Sequence, residues 1–91
     1  MGNKPDVKLG EWITVGSGSG KDAVVCHINA NPELGDIEVV YLDDRDRAIN
    51  EDVIWKEDHW EFKHSGPCGG YADKYSRLSD YVSKLRRGRY S

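Results

Sequence analysis

The chain has 91 residues, 37% of them apolar and 32% charged, with a formal net charge of −3. That length makes one small domain with a modest core. No apolar run approaches the roughly 18 residues of a membrane span, and the opening MGNKPDVKLG lacks the apolar stretch of a signal peptide. Asp6 stands where an N-myristoylation pattern needs Ser or Thr. The charge is uneven. Residues 1–70 hold seven Lys and Arg against fourteen Asp and Glu, a balance of −7; residues 71–91 hold six against two, a balance of +4. An acidic body with a basic end implies internal pairing or an anionic partner for that end. Cys26 and Cys68, with no export signal before them, are expected to be reduced thiols in a cytoplasmic protein.

In chain order, residues 1–9 read as a flexible N-terminal tail. Residues 11–15, EWITV, are β-branched and aromatic, the composition of a strand. The next stretch, Val15-Gly-Ser-Gly-Ser-Gly-Lys-Asp22, ends like a phosphate-binding loop. That loop needs a glycine at 15 and a hydroxyl at 22, where this chain has Val and Asp. A strand-like run, AVVCHI, then follows in place of a helix, so the stretch is expected to be a turn between strands. Further strands are expected over 23–29, 36–42, 48–55 and 60–63. They are separated by the turn signals of 31–35, the charged run 43–47 and the short connection 56–59. Five short strands with such spacing predict a small antiparallel meander or barrel. Residues 64–70, HSGPCGG, read as a Gly/Pro linker. Tyr71, Tyr75, Leu78, Val82 and Leu85 then recur at helical spacing, which predicts a helix over 71–88 packed on the barrel. Gly88 suits the position after the last turn, and Arg86 and Arg87 suit the negative end of the helix dipole. The apolar seam is too short for a free coiled coil, so a monomer is expected, with a weak dimer as the alternative.

The run from 39 to 53, VVYLDDRDRAINEDV, resembles the strand–turn–strand unit of Tudor-like domains: an aromatic, an acidic tight turn, then a strand. The preceding GEWITV and DAVVCHI are similar to the first hairpin of an SH3-like barrel. The resemblance spans about residues 10–63 and concerns the fold. It implies a barrel that binds peptide or nucleic acid and does not catalyse. The loop between the first two strands carries no aromatic residue, so no methyl-reading cage is assigned.

A barrel of this size cannot bury three tryptophans fully, each carrying on the order of 200 Å². Trp60 and Phe62 share the core face of the last strand, so Trp12 or Trp55 is expected at a surface groove. Cys26, His27, His59, His64 and Cys68 are zinc-type ligands, but no C-x-x-C occurs and neighbouring strand residues face opposite ways. No metal or other cofactor is therefore expected. The same geometry separates Cys26 from His27 as a nucleophile–base pair, and no enzyme is expected. Asp43, Asp44, Asp46, Glu51 and Asp52 form an acidic edge without the central glycine and terminal glutamate of a calcium loop.

The expected fold is thus a mainly β, five-stranded SH3-like barrel over 10–63 with a C-terminal helix. The expected function is non-enzymatic binding of a protein or peptide through Trp12, Tyr41, Asp43, Asp44 and Trp55. The alternative partner is nucleic acid, held by Lys84, Arg86, Arg87 and Arg89. Pairing of that basic segment with the acidic 43–52 edge is the competing expectation.

Overall fold

Six strands and one α-helix are formed among residues 6–16, 20–29, 36–63 and 70–89, the parts of the chain that the computed structural model describes. The tip of the first loop, the 31–35 turn and most of the expected linker, with His64 and Cys68, lie outside the described residues. The strands are β1 (Trp12–Val15), β2 (Lys21–Ile28), β3 (Ile37–Leu42), β4 (Ala48–Lys56), β5 (His59–Phe62) and β6 (Gly70–Tyr71). The helix α1 runs over Ser79–Arg87. Order in the sheet is β3-β2-β1-β5-β4-β6, and a further pairing of β3 with β4 closes the first five strands into a barrel. Neighbours are antiparallel except β1 and β5, which meet in parallel at Val15↔Trp60. This mainly β barrel with its C-terminal helix is compatible with the SH3-like fold.

Each strand's alternation decides what it faces. Ile13, Val15, Ala23, Val25, Val39, Tyr41, Val53 and Trp60 fill the barrel interior. The residues between them on β2 and β3, Val24, Cys26 and Val40, point outward, yet they too are buried. The reason is α1. Leu78, Val82 and Leu85 pack on this outer face, with Ala48 and Ala72 beneath them. A strand covered on both sides reads as an unbroken apolar run, which is what AVVC is. Leu78 is 0% exposed and ends the turn that leads into α1.

Local chemistry sets the turns. Gly20 closes the β1–β2 connection, where a Cβ would collide with the carbonyl of Val15. In the β3–β4 connection, Asp46 takes φ +59 after a turn closed by its N–H on the Asp43 carbonyl at 3.0 Å. This is the hairpin in which a type I turn is followed by a left-handed residue. The β4–β5 hairpin pairs Lys56 with His59 and puts Glu57 at φ +52, a conformation that costs a residue with a Cβ on the order of 1 kcal/mol. Gly88 ends α1 at φ +89, its N–H on the Leu85 carbonyl at 3.2 Å.

The expected helix over 71–88 is shorter than the periodicity implied. Tyr71 lies on β6, opposite Ile49 of β4. Two 3₁₀ turns follow, Ala72–Lys74 and Ser76–Leu78, with Tyr75 extended between them. The four-and-three spacing of Tyr71, Tyr75 and Leu78 fits this stepped path as well as it fits a helix. What favours the stepped path is that residues 70–71 pair with β4. Tyr71 and Tyr75 are consequently exposed, at 39% and 43%, and are not part of the packed face. No helix among the described residues is long and apolar enough to cross a membrane.

Candidate functional site

The residues expected to form an acidic recognition edge are placed apart by the barrel. Tyr41 is 5% exposed and points inward, its hydroxyl donating to Glu51 Oε2 at 2.8 Å. Burial, then the hydrogen bond to Glu51, pushes the Tyr41 phenol well above its usual range. Glu51, expected in the acidic turn, is itself buried at 4%. Both Tyr41 and Glu51 are therefore structural. Asp43 is committed to its own turn: Oδ1 accepts the backbone N–H groups of Arg45 and Arg47, each at 2.9 Å, and Oδ2 accepts Arg47 Nε at 3.2 Å. The backbone N–H of Arg47 is the main reason its carboxyl is held below the usual range, helped by the N–H of Arg45 and the Arg47 charge. Asp44 is fully exposed, 3.6 Å from Lys21. Trp55 is half-buried and meets Trp60 edge-on at 5.1 Å, while its N–H donates to Asp36 Oδ2. Of the five expected binding residues, Trp12 lines a groove formed by described residues.

That groove lies where β1, the start of β2 and the end of α1 come together. Two adjoining hollows, of about 270 and 490 Å³, share Trp12, Gly88 and Arg89. The first is completed by Lys21, Asp22, Leu42 and Leu85, the second by Lys84 and Arg87. Trp12 is half-buried against the cluster beneath α1, which fixes its ring while leaving part of it at the groove. Arg89 Nη1 is anchored to Asp22 Oδ1 at 2.8 Å and to Thr14 Oγ1 at 3.0 Å. Lys84 donates to the Gly10 carbonyl. Arg87 stands exposed at the helix end. Lys21, Lys84, Arg87 and Arg89 against Asp22 leave the groove with a local balance of +3 on a chain whose net charge is −3.

The basic segment meets the rest of the chain at three described contacts. The partners are Asp22, the Gly10 carbonyl and, for Arg86, the Asp46 carbonyl at 3.3 Å. None of these three contacts uses a carboxylate of the 43–52 edge. They are anchors that hold the cations in place along one face.

Cations also sit over the two exposed tyrosines. Arg47 lies 4.9 Å and Lys74 5.7 Å from the centre of the Tyr71 ring, and Arg47 Nη1 donates to its hydroxyl at 2.7 Å. Arg77 lies 5.4 Å from the centre of Tyr75. Such contacts are favourable because the ring face is electron-rich. Sequence reasoning placed both tyrosines on the helix's buried face. The signal that could have exposed them was the interleaving of Tyr71, Lys74, Tyr75 and Arg77.

Of the expected zinc-type ligands, Cys26, His27 and His59 fall within described parts of the chain. Cys26 occupies a bulge in the β2–β3 pairing, buried under α1, and accepts from Asn50 Nδ2 at 3.4 Å. Burial, with the charge of Glu38 adding to it, pushes the thiol up to about 12. His27 beside it is exposed. His59 sits in the β4–β5 hairpin with Nδ1 2.6 Å from Asp58 and Nε2 3.1 Å from Glu61. The Asp58 hydrogen bond, then that to Glu61, raises its pKa. Among the described residues no three such side chains gather as a metal site.

The fold and the groove together define a small barrel with a cation-lined aromatic cleft on its helix side. Comparison with known proteins finds no matching family model, curated protein or solved structure.

Proposed function

We propose that the protein is a non-enzymatic binding module that docks an anionic segment of a partner macromolecule in the Trp12 groove. The observation that carries this is the collection of Lys21, Lys84, Arg87 and Arg89 around a half-buried indole on an otherwise acidic protein. Arg89 is paired with Asp22 and Lys21 lies 3.6 Å from Asp44, yet cations still outnumber carboxylates at the cleft, and a local positive field favours an anionic guest. The ring supplies apolar contact area, and aromatic and arginine side chains together are the usual anchors of interfaces. The acidic edge is the weaker candidate, because Tyr41 and Glu51 face inward and Asp43 holds its turn.

A Tudor-type methyl reader would use the barrel differently. Its aromatic cage attracts a methylated ammonium group by cation–π forces. The Trp12 groove is positively charged, which opposes such a guest. The barrel is therefore read as an SH3-like scaffold with its own site, on the side covered by α1. The buried Cys26 thiol, with its pKa pushed to about 12, is a poor nucleophile at neutral pH, which supports a binding role over a thiol-based catalytic one.

Retention on immobilised heparin, a polyanion with no bases, tests this reading. The protein should be retained near physiological salt despite its net charge of −3, and Arg87→Glu should elute much earlier. Flow-through of the unmodified protein, or identical elution of the Arg87 variant, would refute it.

A further inference from the structure

We infer that the segment bound in the Trp12 groove is a single-stranded nucleic acid, with a base against the indole and phosphates on Lys84, Arg87 and Arg89. This rests on the anion-binding reading of the groove and goes further by naming the partner's chemistry. A nucleotide strand repeats one planar base and one fixed negative charge per unit. The groove offers the matching pair: an indole fixed from behind by the cluster under α1, and cations from the last turn of α1 and the residues after it. An acidic peptide would satisfy the cations but offers a plane for the ring only where it carries an aromatic side chain, whereas every nucleotide carries one. Ring and cation also pair outside the groove, in Tyr71 with Lys74 and Arg47, and in Tyr75 with Arg77. Aromatic platforms beside a basic track are how single strands are held without sequence preference.

The charge distribution selects a single strand over a duplex. The molecule measures 35 × 27 × 25 Å. A duplex is stiff and carries one charge per ~1.7 Å, so about 20 charges would lie across the long dimension. Many of them would pass near the carboxylates of Asp22, Asp43 and Asp44. A flexible strand can enter the groove with about three phosphates and turn away. Neutralising about three phosphates of a single strand implies a slope of log K against log salt near −2. Affinity should then fall about fifteen- to twentyfold between 50 and 200 mM salt.

The experiment compares three labelled probes by anisotropy: an eight-nucleotide oligothymidylate, an abasic phosphodiester of equal length and an octaglutamate peptide. The oligothymidylate should bind roughly five- to one-hundred-and-fifty-fold more tightly than the abasic strand, the range expected for stacking of one base. Trp12→Leu keeps an apolar cover over the helix cluster and should bring the oligothymidylate to the abasic level. Arg87→Glu, which alters an exposed side chain, should weaken both strands together. Equal binding of the abasic and base-bearing strands overturns the inference. Tighter binding of octaglutamate overturns it in favour of an acidic protein segment, and tighter binding of a duplex of the same length, measured alongside these three, overturns the single-strand claim. Failure of all three probes together with heparin would remove the anion-binding reading itself.

Discussion

Truncating Leu78 to alanine tests how much the helix contributes to the fold. Leu78 is 0% exposed, and it packs with Val24, Val40, Val82 and Leu85 over the small residues Ala48 and Ala72. Leu78→Ala removes three carbons, a transfer loss of about 2.4 kcal/mol at ~0.8 kcal/mol each. The alanines beneath cannot swing into the gap, so a cavity cost adds, for a total of about 3–4 kcal/mol. A domain of this length has a stability of about 5–14 kcal/mol, so the variant loses a large share of it. The thermal midpoint should drop by roughly 12–25 °C. In urea, the midpoint should fall by about 2 M at an unchanged slope near 1.5 kcal/mol/M. Tryptophan fluorescence follows the barrel through Trp60, and far-UV dichroism follows the whole backbone; the two should move together. Ser83→Ala, on the exposed side of α1, serves as control and should stay within about 0.5 kcal/mol. A change at Leu78 as small as the control's, or loss of the helix in a separate early transition, would refute the docking of α1 on the barrel.

Relief of the left-handed backbone at Glu57, at φ +52, should make Glu57→Gly more stable by about 0.5–1 kcal/mol, seen as a thermal midpoint several degrees higher. An unchanged midpoint would show that the hairpin carries no strain. Tyr41→Phe keeps the buried ring but removes the donor to Glu51, and should cost about 1–3 kcal/mol in urea unfolding. A cost near zero would mean that Glu51 reorganises freely. His59 should titrate in the folded protein above its unfolded value of about 6.5, because Asp58 and Glu61 favour the imidazolium. Its contribution to stability is then complete below pH 6.5 and is lost as pH rises through the folded pKa. An imidazole proton titration by NMR with a midpoint at or below 6.5 would contradict the clamp.

The strands were legible because their residues alternate and their turns carry strong signals. The expected 36–42 and 48–55 differ from β3 (Ile37–Leu42) and β4 (Ala48–Lys56) by one residue at one end. The outward burial of Val24, Cys26 and Val40 was not legible strand by strand, since it depends on a helix more than forty residues away. The unbroken apolar runs of β2 and β3, AVVC and VVYL, were its local trace. The helix face at Leu78, Val82 and Leu85 followed from spacing. The fate of Tyr71 and Tyr75 did not, because residues at 3₁₀ turns and residues on a helix can share one spacing. At the site, Trp12 was picked out by the limit on how much aromatic surface a small barrel buries. Tyr41 was misplaced because strand phase alone does not say which face of β3 is inside the barrel and which lies under the helix. The groove's other members, Lys21, Asp22 and Gly88, come from distant parts of the chain and acquire meaning only when the helix end reaches β1.

The most direct measurement follows the three indole N–H resonances, Trp12, Trp55 and Trp60, by NMR while oligothymidylate is added. Binding in the groove should shift Trp12 and the amides of Arg87, Gly88 and Arg89 saturably, and leave the interior Trp60 indole in place. A silent Trp12 with shifts confined to Asp44, Trp55 and the β4–β5 hairpin would contradict the groove as the binding site.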